Sequence, residues 1–130
     1  TEQNRLMALM YEYRPPEPLQ GPLLLGVKAY LPIPKSKPKG WQAAAMAGEI
    51  RPTVPPDLDN LLKNIKDVMK GVFWGDDKQV VEYLPGTGKY YGHRPRWEIE
   101  ILTLAQGAAV AILDLMPSYQ KGAEQAGRLF

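Results

Sequence analysis

The apolar positions change their spacing several times along the chain, and each change predicts an element. Over residues 1–13, Leu6, Leu9, Met10 and Tyr13 fall on one helical face. Arg14-Pro15-Pro16 ends that run, because proline lacks the donor that a helix interior needs. Residues 23–31 form an apolar run between Gly21-Pro22 and Pro32. Its length, with Val27 and Tyr30, predicts a buried strand. Residues 34–40, Pro-Lys-Ser-Lys-Pro-Lys-Gly, read as a basic loop. A short helix follows over 41–47, closed by Gly48. Pro52, Pro55 and Pro56 then hold residues 51–56 extended.

The strongest pattern covers residues 57–72. Leu58, Leu61, Leu62, Ile65, Val68, Met69 and Val72 make one stripe at a period near 3.6, which predicts an amphipathic helix. Asp59, Lys63, Lys66, Asp67 and Lys70 fall on the other side. Gly75-Asp76-Asp77 reads as a turn. Residues 79–84 read as a strand with Val81 and Tyr83 on one face. In residues 96–104, Trp97, Ile99 and Ile101 alternate with Glu98 and Glu100, a second strand signal. The two strands are expected to form a hairpin across a long glycine-containing loop. The Ala- and Gly-rich remainder, 104–130, is expected to be a helical extension, with helix over 108–116. There is no internal repeat and no linker, so residues 1–130 are read as one domain.

Composition narrows the chemistry. The 45% hydrophobic content predicts a packed globule. The absence of cysteine excludes disulfides and thiolate metal sites, and with the polar start it points to a cytoplasmic protein. A lone histidine, His93, excludes a zinc site built on several histidines. Any metal must therefore be held by oxygen, as magnesium, manganese and calcium are. The apolar run 108–116, broken by Asp114, is too short to span a bilayer. Sixteen basic against 14 acidic residues, net +2, do not by themselves indicate nucleic acid.

The informative segment is Pro55-Pro56-Asp57-Leu58-Asp59-Asn60-Leu61-Leu62-Lys63. Residues two apart inside a helix point about 200° apart, so Asp57 and Asp59 cannot share a ligand from within one. If Asp57 is the last extended residue, its side chain can swing alongside Asp59. Lys63 lies one turn beyond Asp59 on the same face. Asp76 and Asp77 sit past the far end of the helix, roughly 20 Å away at about 1.5 Å per residue. They reach Asp59 only if the next strand runs back along the helix, or from another subunit. Converging carboxylates repel unless a cation sits among them. A plainer reading also fits: Asp57 as an N-cap, Asp59 as a first-turn acid, Lys63 as its i,i+4 partner, Asp76 and Asp77 as turn formers.

Read as a whole, this segment, with Asp67, Gly71-Val72-Phe73-Trp74 and Asp76-Asp77-Lys78-Gln79, resembles the RusA family of Holliday junction resolvases, typical of bacteria, phages and prophages. The likeness extends upstream through Pro32-Ile33-Pro34-Lys35-Ser36 and Arg51-Pro52-Thr53, and downstream to Pro95-Arg96-Trp97-Glu98-Ile99, covering about residues 1–103. It implies an α/β (α+β) fold with a small mixed sheet packed against helices, in a homodimer. It implies magnesium- or manganese-dependent cleavage of four-way DNA junctions. The family's essential acids match Asp57, Asp59 and Asp77, which would hold the metal, and its important lysine matches Lys63. Family members usually begin with a further basic strand and loop before the helix at residues 1–13, so a truncated or divergent start is expected.

Candidate DNA contacts are Lys35, Lys37, Lys39 and Arg51 around the first site string, and Lys78, Lys89, Arg94 and Arg96 later. Trp41 and Trp74 are read as half-buried core, with stacking on exposed bases as the alternative. His93 is expected at the surface, and Ser36 has no base partner for nucleophilic chemistry. Two other functions are compatible with the sequence: a dimer that binds branched DNA without cutting it, and a magnesium–nucleotide transferase, although no glycine-rich phosphate loop is present.

Overall fold

In the computed structural model, residues 7–8, 10–104 and 108–115 are described, the last of these by their backbone only. The sheet is organised around β1 (Leu23–Pro32), whose residues alternate between buried and half-buried along its whole length. That period-2 pattern puts Leu23, Leu25, Val27, Ala29 and Leu31 on one face. Two helices follow, α1 (Lys39–Met46) and α2 (Leu58–Met69). Then come β2 (Val80–Tyr83), β3 (Gly88–Gly92), β4 (Arg96–Thr103) and β5 (Ala108–Leu115).

The sheet is mixed. β4 runs antiparallel to β1, from Leu23 opposite Thr103 to Tyr30 opposite Arg96. β2 and β3 share the other edge of β1, both parallel to it: Leu23 pairs with Val80, and Lys28 with Gly88. β5 closes the far side, antiparallel to β4. The buried face of β1 and the Trp97, Ile99 and Ile101 face of β4 meet the stripe Leu61, Leu62, Ile65, Val68 and Met69 of α2. Phe73, Trp74 and Met10 complete the same core. No helix among the described residues is long and apolar enough to cross a membrane.

These are the small mixed sheet and helices expected from the sequence. The N-terminal run is helical at residues 7, 8, 10 and 11, and Met10 is buried. Tyr13, expected on the same face, lies in the turn beyond the helix and is 48% exposed. Leu6 and Leu9 lie outside the described residues. Helix α1 ends as its glycine predicts: Gly48 takes φ +84°, and the Glu49 amide donates to the Ala44 carbonyl.

Three expectations are corrected. β2 and β4 form no hairpin, because β1 lies between them. The stretch read as one long loop contains β3, whose short Gly-Lys-Tyr-Tyr-Gly sequence carries no apolar alternation. Residues 108–115 are a strand rather than a helix. An eight-residue apolar run fits a buried helix or a strand equally, and pairing with the open edge of β4 decides it against alanine's helical preference. The expected helix over the rest of 104–130 lies outside the described residues.

The fold makes one demand on stability. Leu61 is fully buried where α2 meets the sheet, and L61A is expected to cost about 2–5 kcal/mol, measured by urea unfolding.

Candidate functional site

Residues 51–56 form neither helix nor strand; the expected extended run is interrupted by bends at 54–56, with a cis Pro55–Pro56 peptide, before the chain reaches α2. Asp57 is the last extended residue, with φ −63° and ψ 149°. It occupies the N-cap position, yet its side chain accepts no capping hydrogen bond. Asp59 lies in the first turn, and both carboxylates are exposed. Lys63 is exposed one turn further on, and it forms no ion pair with Asp59 among the described residues. The plainer reading of this string, a side-chain cap followed by an i,i+4 pair, is therefore not what the geometry shows. Two exposed carboxylates and an exposed ammonium share one helix start.

Asp77 lies elsewhere. It opens a short 3-10 turn (Asp77–Gln79) that follows the far end of α2. From Asp59 to Met69, the last residue of α2, is ten rises, about 15 Å at 1.5 Å per residue, and Asp77 follows beyond that end. The sheet gives the same answer. Gln79, two residues on, donates to the carbonyls of Leu19 and Gly21, just before β1. Lys89, by contrast, meets Val54 and Pro56 and pairs with Ala29, late in β1. Among the described residues, no three carboxylates or histidines of one chain come together to hold an ion.

Local chemistry fixes the Asp77 turn. The buried Trp74 indole donates to Asp77 Oδ1 at 2.8 Å, which satisfies a donor that water cannot reach. Asp76 Oδ1 accepts the Lys78 amide at 2.9 Å, and Gln79 Oε1 accepts the amides of Gly75 and Asp76, each at 3.0 Å. Gln79 thus ties the turn to itself and to the entry of β1. The sequence reading passed over it, and a glutamine three residues after an aspartate N-cap was the available signal. The hydrogen bond from the Lys78 amide holds the exposed Asp76 carboxyl below its ordinary range, helped by the Lys78 and Lys70 charges.

The candidate DNA contacts divide into two groups. Lys35, Lys37 and Lys39 are exposed on the loop before α1. Gln42 Nε2 orders that loop by donating to the Lys37 carbonyl at 2.8 Å and the Lys35 carbonyl at 3.4 Å. The half-buried Trp41 packs edge-on to Tyr91, with Lys37 Nζ 5.1 Å from its ring centre. The later cations have partners inside the protein. Arg51 donates to the Lys89 carbonyl and lies 3.7 Å from the Tyr90 ring centre. Arg96 pairs with Glu98 at 2.9 Å and stacks on Tyr30. Lys89 donates to two carbonyls, and Lys78 lies 4.0 Å from Asp76. Arg94 and His93 are exposed between β3 and β4. Trp74 is wholly buried, so it offers no face to a base. A cavity of about 150 Å³ lined by Lys28, Thr87, Glu98 and Glu100 takes in none of the site aspartates.

Comparison with known proteins adds to this geometry. A family model described as endodeoxyribonuclease RusA matches residues 2–102. The chain is similar to a Bacillus subtilis (strain 168) protein bearing the name "Uncharacterized protein YqaN", 38% identical over 92 residues. That match takes in 69% of this chain and 63% of the relative, so the chain spans less than two thirds of the relative's length. No solved structure matches.

Two outcomes follow from the Asp76–Asp77 turn. D77N keeps an oxygen acceptor for the Trp74 indole and should unfold in urea like the unaltered protein. D77A orphans that buried donor and should lose about 1–3 kcal/mol. In a carboxyl-detected NMR titration Asp76 should titrate below the ordinary aspartate value. The depressed folded-state value means that its contribution to stability is present above the unfolded-state value and is lost as pH falls through the folded one.

Proposed function

The chain belongs to the endodeoxyribonuclease RusA family, and from that premise we propose that it hydrolyses phosphodiester bonds at four-way DNA junctions, with a divalent cation held by Asp57, Asp59 and Asp77. The observation that carries this reading is the start of α2. Asp57, itself extended, enters the helix with its carboxylate uncommitted, beside the equally exposed Asp59. Hard carboxylate oxygens of this kind suit magnesium or manganese. Such an ion, when bound, supplies a Lewis acid for the phosphate and lowers the pKa of water.

The chain's own residues do the rest. Asp57 and Asp59 provide the negative charge that holds the ion. Lys63, exposed one turn along the same helix, offsets charge that develops on the phosphate. Lys35, Lys37 and Lys39 contact the DNA backbone from a loop that leaves the end of β1 nearest the 54–56 segment.

The third acid comes from a second copy. The outer edge of β2 has no strand partner among the described residues, and Val81 and Tyr83 are 57% and 40% exposed on it. Antiparallel pairing of two such edges carries Asp77 of one copy past β2 of the other, toward its β2–β3 turn. That turn leads into Lys89, which meets the segment before Asp57. A homodimer with two composite sites suits the symmetrical cutting of a four-way junction. The lack of a three-acid group among the described residues of one copy also favours a second reading, a dimer that binds branched DNA without cutting it.

The two readings separate in one assay with a labelled synthetic junction and magnesium. The unaltered protein should cut it, chelation should stop the cutting, and D59N should bind without cutting. A junction that is bound but stays intact leaves the binding-only reading. Mixing D59N with D77N, each inactive alone, should restore nicking. Every mixed dimer then holds one site with all three acids, about a quarter of all sites after random exchange. A mixture that exchanges subunits and stays inactive rules out sites built from two copies.

A further inference from the structure

The segment that delivers Asp57 has no strand or helix hydrogen bonds of its own, and a lysine of the sheet supplies them. Lys89 Nζ, from β3, donates to the Val54 carbonyl at 2.7 Å and to the Pro56 carbonyl at 2.9 Å. The Pro56 carbonyl belongs to the peptide unit that enters Asp57. An ammonium on that oxygen fixes the peptide plane from which the Asp57 side chain projects.

The clamp is itself braced. The Lys89 carbonyl accepts Arg51 Nε at 2.6 Å, so the 51–56 segment is tied to β3 at both of its ends. Arg51 lies 3.7 Å from the Tyr90 ring centre, and Tyr90 stacks on Tyr30 of β1 at 5.4 Å. Gly88 leaves room for that guanidinium: a Cβ there would lie 2.8 Å from Arg51 Nη2 and would require it to shift. Lys89 is also half-buried, between a paired strand and a proline-rich segment.

We infer that Lys89 is a positioning residue for the metal site, holding Asp57 extended so that its carboxylate stays beside that of Asp59, and is not a contact to DNA. This rests on the reading of Asp57 and Asp59 as metal ligands. The physical basis is the commitment of the ammonium. Charge-assisted hydrogen bonds to two carbonyls use two of its three donors, which disfavours swinging out to a phosphate. Outer partners of this type act on metal affinity through the ligand they orient.

The test uses the full chain and three measurements: Mn²⁺ binding by calorimetry, metal-free junction binding across a salt series, and thermal melting. K89M keeps the aliphatic stem and removes the donors. It should weaken Mn²⁺ binding about tenfold, while the salt slope of junction binding stays unchanged. K89R, which restores donors, should recover most of the affinity, and melting should show K89M folded. If K89M fails to fold, K89Q carries the same comparison. The proposal falls if K89M binds Mn²⁺ normally while D57N does not. It falls equally if the salt slope drops by about one with Mn²⁺ binding intact, the signature of a lost phosphate contact. If D57N and D59N both bind Mn²⁺ like the unaltered protein, the ligand assignment itself is wrong, and the role of Lys89 goes with it.

Discussion

Strand β1 must satisfy its backbone on both edges, and the other elements take their places from that requirement. β4 covers one edge over almost the whole strand. No single strand covers the other: β2 pairs with its beginning and β3 with its end. The gap between them falls near Val27, whose amide donates to Thr87 Oγ1 at 3.2 Å. Beside it, the Leu84 amide donates to the Leu25 carbonyl at 2.8 Å. The turn between β2 and β3 thus completes the ladder with a side chain where no strand partner is present.

The same arrangement sets the distance between the acids. Helix α2 lies across the buried face with its start near the end of β1 and its close near the beginning. Asp57 and Asp59 therefore stand at one end of the sheet and Asp77 at the other. No rotamer change closes a gap of about 15 Å along a helix. The proposed site that uses all three would therefore draw on more than one copy, which would link assembly to chemistry through topology.

Much of this was legible in the residues. The α2 stripe, a strand at β1, the alternation of β4 and the extended state of Asp57 follow from apolar spacing and proline, and the structure has them; the 51–56 approach, expected to be extended, bends at 54–56. β3 was not legible, because Gly-Lys-Tyr-Tyr-Gly shows no alternation and pairs through its backbone. The strand at 108–115 was misread because alanine favours helix and the demand of the β4 edge is not a local property. The start of the site was readable from Asp57-Leu58-Asp59, together with the condition on Asp57. The position of Asp77 was readable only as a choice between a returning strand and a second subunit. The returning strand exists, but Asp77 precedes it.

Charge was the least legible feature. Lysines and arginines that cluster in sequence near the acids were all plausible phosphate contacts, yet the structure gives Arg51, Lys89 and Arg96 carbonyl, carboxylate or aromatic partners. What distinguishes them is the supply of unsatisfied acceptors nearby. The proline-rich 51–56 segment cannot join a ladder, so its carbonyls need donors from elsewhere, and β3 is the adjacent source. The 34–40 loop has a different solution: Gln42, a neutral side chain, satisfies its carbonyls and leaves the lysine heads exposed. Two proline-rich segments at one end of the sheet thus have opposite electrostatic outcomes. One draws a cation inward to hold an acid in place, and the other leaves its cations exposed where a phosphate backbone could meet them.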